Sequence, residues 1–140
     1  MTAMALAVTD TELRALLADV PFTRAYGFAL AAIADGECTI HVPFQKAFER
    51  PGGIVSGQVF MAAADVAMWL AIITKLGATD PSVTAEMTTA FLGSAKEEAF
   101  RCTARVLKLG RPLVYGAAES VGTDGTLLAH HTVTYVRPAA

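Results

Sequence analysis

The stretch PGGIVSGQVFMAAADVAMWLAIITKLG, residues Pro51 to Gly77, decides how this chain folds. From Val59 to Ile73 every residue is apolar except Asp65. Ala, Met and Leu are good helix formers, Ser56 is a suitable N-cap and the final glycine a suitable stop, so we predict a helix over about 57–75. Because a helix that is apolar on nearly all sides has no face for water, the rest of the chain must enclose it.

The single carboxylate in this helix needs an explanation, because an unpaired buried charge is very costly. Either Asp65 is a structural group that bonds to a polar neighbour, or its charge is kept because chemistry needs it. A carboxylate in an apolar site has a destabilised charged form, which suits it to act as a base or a nucleophile. The residues alone leave both interpretations open.

Short apolar or alternating runs on both sides of the helix predict strands. Two lie before it, at about 28–34 and 38–43, separated by the hairpin signal Asp35-Gly36. Four follow it in succession: SVTAEMTTAFL, AFRCTARVLKLG, PLVYGAAESVG and LLAHHTVTYVRP. Consecutive strands joined by hairpins favour an antiparallel sheet packed against the helix. The predicted fold class is therefore α+β, with a curved antiparallel sheet wrapped around one long central helix.

The remaining segments complete a single domain over residues 1–140, a length that suits one hydrophobic core. A short helix is predicted at about 9–20, capped by Thr9 or Thr11. The segment FQKAFERPGG, residues 44–53, is predicted to be a loop because it contains a proline and two glycines.

Composition narrows the classes of function. The chain is 54% apolar and 17% charged, against about 25% charged in typical soluble domains, which predicts a homo-oligomer. A net charge of -2 without adjacent basic residues argues against nucleic acid as a partner. The apolar run is too short to span a membrane and contains an acid. With no positively charged N-terminal flank and with Cys38 and Cys102 interpreted as buried thiols, we expect a cytoplasmic protein.

The order of these elements resembles the hotdog fold, and more specifically the acyl-CoA thioesterases of the phenylacetate pathway (PaaI-like), over about Arg24 to Arg137. In that family an Asn, a Gly and then His-Gly-Gly precede or begin the central helix, and an acid follows two turns into it. Gly53, Gly57 and Asp65 match this pattern. Three family positions hold other residues: Arg50 in place of the Asn, Ser56 in place of the His and Gln58 in place of the second Gly.

The resemblance implies hydrolysis of an acyl-CoA thioester, with coenzyme A as part of the substrate and no separate cofactor. Asp65 would attack the carbonyl carbon or activate a water to do so. The N–H groups of Gly57 and Gln58, at the positive end of the helix, would polarise the thioester oxygen. The missing side chain of Gly57 would let the substrate approach. Thr84 matches a Ser or Thr that holds the attacking water in related enzymes.

Two residues beside the helix start have a structural interpretation as well as a functional one. Ser56 is a helix cap or, alternatively, a direct substrate contact. Arg50 is a solvated loop residue paired with Glu49, a donor to a substrate carbonyl, or the ionic partner of Asp65.

The same holds for three residues on the later strands. On an alternating strand Thr84 and Glu86 share one face, which is either a polar solvent face or a site with Glu86 as a second carboxylate. Lys108 and Arg111 belong to a charged hairpin, and the resemblance implies that they contact the phosphates of coenzyme A.

The resemblance also implies a homodimer or homotetramer in which the strand of Thr84 approaches the partner's helix, so that sites are shared between subunits. His41, His130 and His131 lack metal-ligand spacing, and the adjacent pair points to opposite faces of a strand, so no metal site is predicted. The rival interpretations are a non-catalytic module that binds an acyl-CoA or aromatic ligand, and a purely structural dimer.

Overall fold

The computed structural model describes residues 6–138. Its helices are α1 (Asp10–Asp19), α2 (Pro21–Tyr26) and α3 (Gly57–Leu76), and a 3-10 turn spans Lys46–Phe48. Its strands are β1 (Ala29–Ala34), β2 (Glu37–Val42), β3 (Glu49–Arg50), β4 (Ile54–Val55), β5 (Val83–Phe91), β6 (Phe100–Leu109), β7 (Leu113–Gly122) and β8 (Leu127–Val136).

Six strands form one sheet in the order β1-β2-β6-β7-β8-β5, and every neighbouring pair is antiparallel. The long helix α3 packs against this sheet, so the predicted α+β hotdog architecture is confirmed. The chain connects β5 to β6, yet β5 pairs with β8 and therefore lies at the edge of the sheet. This position leaves one side of β5 open for a further strand.

Helix α3 forms the centre of the core because the sheet covers most of its apolar surface. Its side chains fit closely: a Cβ at Gly116 of β7 would collide with the end of the Met68 side chain. Near the start of the helix, the rings of Phe60 and Phe100 pack with their centroids 4.6 Å apart. The helix is long and apolar enough to cross a membrane, but 67% of its most apolar window is buried within this protein. It is therefore a core helix.

The segment predicted to be a loop, residues 44–53, contains the short strand β3, which pairs with β4 directly after the segment. The turn between them is tight because Gly52 and Gly53 have φ angles of 96° and 74°, values that suit glycine. The prediction of an irregular segment at 44–53 is wrong at this point. The hairpin leads directly into the first turn of α3.

A β-bulge in β5 overturns another prediction. Thr84 pairs with Tyr135 of β8, but Glu86 pairs with Thr134, the next residue back along that strand. Because neighbouring residues of β8 point to opposite faces, Thr84 lies on the face toward α3 and Glu86 on the outer face. The expectation that Thr84 and Glu86 share one face is therefore wrong.

Candidate active site

Asp65 lies in the third turn of α3 and is held there by two hydroxyl groups. Thr84 Oγ1 donates to Asp65 Oδ1 at 2.6 Å, and the Tyr135 hydroxyl donates to the same oxygen at 2.8 Å. The Tyr135 hydroxyl is also 2.9 Å from the backbone carbonyl of Asp65. Among residues 6–138, no group donates a hydrogen bond to Oδ2. One carboxylate oxygen is thus fixed and the other keeps its lone pairs for a substrate or a water.

Tyr135 is suited to remain a donor in this arrangement. Its side chain is buried, and burial together with the negative charge of Asp65 raises the pKa of the hydroxyl well above its ordinary value. The residue was not singled out from the sequence. The available signal was its inward position on an alternating strand, because the hydroxyl of a buried tyrosine usually needs a hydrogen-bond partner.

A cavity of about 260 Å³ opens beside Asp65. Apart from the polar residues Asp65, Ser82, Thr84 and Tyr135, its wall is apolar and is contributed by Phe22, Val66, Trp69 and Val83. Phe22 comes from α2 and is 52% exposed, so it lies at the rim. An apolar wall with a few polar groups at one end is typical of a small-molecule site.

The start of α3 forms a second group of predicted site residues. Ser56 is the N-cap, and its Oγ accepts from the Gln58 N–H at 3.4 Å. The Gly57 N–H has no acceptor within the described part of the chain, as expected for the first residue of a helix. A cavity of about 370 Å³ borders Gly57 and is also lined by Arg50 and Phe91.

The position that a side chain on Gly57 would take is occupied by a neighbouring ring, and the cavity lies beside it. A Cβ at this position would lie 2.9 Å from Cε1 of Phe91, the last residue of β5. The ring of Phe91 therefore occupies the surface of the first helical turn. Glycine at position 57 accommodates this ring.

Arg50 and Gly53 lie in the hairpin before the helix. Gly53 supplies the turn, and its carbonyl accepts from the Glu97 N–H at 3.0 Å. Arg50 is exposed at the rim of the Gly57 cavity. The predicted ion pairs of Arg50 with Glu49 and with Asp65 do not occur among residues 6–138. Glu49 pairs with Lys46 instead, with Oε1 and Nζ 3.2 Å apart.

The Asp65 group and the Gly57 group are separate within one chain. Asp65 follows Gly57 by eight positions of the helix, which corresponds to about 12 Å along the axis. A single carbonyl cannot contact the Asp65 carboxylate and the Gly57 N–H of the same chain. The structure thus brings Asp65 and Thr84 together with Tyr135, and brings Gly57 together with Arg50 and Phe91, as two half-sites.

Lys108, near the end of β6, and Arg111, in the turn that follows, are exposed on the hairpin that β6 forms with β7. This hairpin is at the Asp65 end of the sheet, because Leu113 and Val83 both pair with Val136. Its positive charges therefore lie at the end of the molecule where the Asp65 cavity opens. Glu86 is on the opposite face of the sheet from this cavity.

The structure supports neither a cysteine nucleophile nor a metal site among the described residues. Cys38 and Cys102 are free and buried, and burial raises the pKa of both thiols to about 12, so neither is a reactive thiolate. In the part of the chain that the structure describes, no three His, Cys, Asp or Glu side chains form a cluster able to hold a metal ion.

Comparison with known proteins gives a family. The profile of the thioesterase superfamily matches residues 52–129. A curated protein of Saccharolobus solfataricus, whose name proposes an esterase, is 30% identical over 92 residues, 66% of this chain and 65% of that protein. The chain thus spans about two thirds of that relative's length.

Solved structures agree with the fold. A mutant of the phenylacetic acid degradation protein PaaI from Thermus thermophilus is 25% identical, with a TM-score of 0.77 over 85% of this chain and 100% of that one. The PaaI protein of E. coli is 16% identical, with a TM-score of 0.83 over 93% of each chain, and supports the fold alone. The profile match covers more than half of the sequence, and the chain belongs to the thioesterase superfamily.

Proposed function

We propose that this protein hydrolyses an acyl-CoA thioester to a free acid and coenzyme A. One observation carries the proposal: two hydroxyls hold Asp65 through one oxygen and leave the other oxygen free beside an apolar cavity. Membership of the thioesterase superfamily supports the same class of reaction.

The complete site requires two copies of the chain. β5 is a nine-residue edge strand without Lys, Arg or Pro, so nothing in its sequence blocks pairing with another strand. Its first residues adjoin Asp65 through Thr84, and its last residue packs on Gly57. Antiparallel pairing of two β5 strands about a twofold axis brings the start of each strand opposite the end of the other. Asp65 of one copy then faces the partner's Gly57.

In this dimer each site has a carboxylate and a helix N-terminus on opposite sides of the thioester. The Gly57 N–H donates to the carbonyl oxygen and stabilises the negative charge that develops on it. Asp65 Oδ2 acts as a base that takes a proton from water, or as a nucleophile that attacks the carbonyl carbon.

The base route conserves atoms as follows. The water oxygen bonds to the carbonyl carbon as its proton moves to Asp65, the C–S bond then breaks, and the proton passes to the departing coenzyme A thiolate. In the nucleophile route, Asp65 and the acyl group form an anhydride, which water hydrolyses after the thiolate has left.

Lys108 and Arg111 extend the proposal to coenzyme A itself. They are exposed basic side chains at the Asp65 end of the sheet, and we assign them to the nucleotide phosphates. Because Cys38 and Cys102 are buried and unpaired, we also retain a cytoplasmic location.

The test is thiol release from short, long and aromatic acyl-CoA esters by the wild type and by Asp65→Asn. The amide retains the shape of the side chain but cannot act as a base, so turnover should fall by about 10²–10⁴-fold. Asp19→Asn, at the exposed end of α1, is the matched control and should retain activity. If the wild type releases no thiol from any ester yet coenzyme A raises its melting temperature, the protein is a non-catalytic binding module and the hydrolase proposal is rejected.

A further inference from the structure

Phe91 covers the N-terminus of α3 although no sequence pattern assigns it a role. Atoms Cε1 and Cζ of its ring lie 2.9 and 3.1 Å from the position that a Cβ on Gly57 would occupy. The ring is therefore in direct contact with the helical turn that carries the unpartnered Gly57 N–H. A thioester oxygen bound to that N–H would bring the carbonyl carbon and the first acyl carbon against the ring.

The ring is also unusually accessible for a phenylalanine. It is 54% exposed in the single chain, and it borders the cavity of about 370 Å³ together with Arg50 and Ile54. The contact with Gly57 fixes one side of the ring and leaves its other side to a ligand or a partner.

The proposed dimer determines what faces that other side. With two β5 strands antiparallel and overlapping along their full length, Phe91 at the end of one strand lies near the partner's Val83 and Thr84 at the start of the other. The partner's Val83 and Thr84 line the cavity that contains its Asp65. Phe91 thus lies between the Gly57 N–H of its own chain and the partner's carboxylate.

We propose that Phe91 contacts the acyl group at the carbon next to the thioester and selects against branching there. This inference rests on the proposed function and names the acyl chemistry that the same site accepts. A straight acyl chain can extend from the carbonyl carbon in a direction away from the Phe91 ring. A methyl branch on the carbon next to the carbonyl collides with the ring.

The experiment compares butyryl-CoA and isobutyryl-CoA, which contain the same atoms and differ only in branching at that carbon. One misplaced methyl group in an apolar pocket changes kcat/KM by about 10–200-fold. We expect the wild type to prefer butyryl-CoA, and Phe91→Ala to reduce this preference at least about tenfold, mainly by raising kcat/KM for the branched ester. The control is Leu92→Ala, which truncates the neighbouring exposed side chain and should leave the ratio unchanged.

An unchanged ratio in Phe91→Ala, or an equal change in Leu92→Ala, overturns the assignment. The hydrolase proposal itself is decided by the full panel of short, long and aromatic esters, and if the wild type hydrolyses neither of these two esters, the same ratio is measured as dissociation constants by calorimetry. In that case the contact is still supported if the wild type binds the straight-chain ester more tightly and Phe91→Ala removes this preference. Equal ratios of the two dissociation constants in wild type and variant reject the contact.

Discussion

At the scale of single residues, Asp65 combines the two interpretations that the sequence leaves open. It is a structural carboxylate in that Thr84 and Tyr135 satisfy Oδ1, and it retains a second oxygen with no donor among residues 6–138. Hydrogen bonds to a charged group are worth about 1.5–3 kcal/mol, so the two hydroxyls also stabilise the carboxylate in its half-buried position. In the proposed mechanism, anchoring and reactivity are divided between the two oxygens.

This division predicts the effect of removing one anchor. Thr84→Val retains the shape of the side chain but removes the donor to Oδ1, so Asp65 should lose its fixed orientation. We expect kcat with the best acyl-CoA ester to fall about tenfold or more, since a hydrogen bond to a charge is lost. Steady-state kinetics measures this effect. Thr88→Val, the same change on the outer face of β5, is the control, and an equal loss in both variants would refute the role of Thr84.

A second prediction concerns the Gly57 N–H. Gly57→Pro removes this N–H at the first helical position, where proline is well tolerated, and the φ and ψ angles of Ser56, -62° and 142°, suit a following proline. Loss of one donor to an oxyanion lowers kcat by about 10²–10³-fold. Gly57→Ala meets the same Phe91 ring but keeps the N–H, so it should lose much less activity. Equal losses in the two variants would mean that the ring contact matters and the N–H does not.

At the scale of elements, the predictable parts are those that local sequence encodes. The length and apolarity of α3, its cap at Ser56 and the alternation of the strands follow from neighbouring residues. The β5 bulge does not, because the sequence around Thr84 and Glu86 looks like an alternating strand whether or not it contains a bulge. Only the pairing of β5 with β8 reveals the extra residue. Tyr135 is likewise 70 residues from Asp65, so only the assembled sheet reveals their contact.

His131 gives β8 a pH dependence. The residue is fully buried, its Nδ1 is 2.8 Å from Thr89 Oγ1, and burial followed by the nearby His130 lowers its pKa from 6.5 to about 4. Between these values the unfolded chain takes up a proton that the folded chain does not. The free energy of unfolding should therefore be highest above pH 6.5 and decrease by about 3 kcal/mol as the pH falls to about 4.

Urea unfolding at fixed protein concentration, from pH 7 to pH 4, measures this decrease. His131→Gln, which cannot be protonated, should flatten the dependence, whereas His130→Gln on the other face of the strand should retain it. A slope that is the same in wild type and His131→Gln would show that other groups are responsible.

At the scale of the whole molecule, helix α3 keeps the Gly57 and Asp65 groups apart within one chain, and the edge strand β5 adjoins both of them. Six strands of the sheet pack on α3, and β5 ends this sheet with an edge that is unpaired among residues 6–138 and that carries residues of both half-sites. The separation of about 12 Å between the Gly57 and Asp65 groups follows from helix geometry alone, so it could be derived from the sequence. The contact of Phe91 with Gly57 could not, because it joins the end of a strand to the start of a helix through tertiary packing.

A shared site predicts that two inactive variants restore each other. Asp65→Asn and Gly57→Pro each damage both sites of their own homodimer. In a mixed dimer, however, one site combines the intact Asp65 of one copy with the partner's intact Gly57. Random assembly from equal amounts makes about half of the dimers mixed, each with one working site of two, so joint refolding should recover about a quarter of wild-type thiol release. Variants refolded separately and then assayed together are the control. If the jointly refolded sample is no more active than this control, both residues act within one chain and the shared site is wrong.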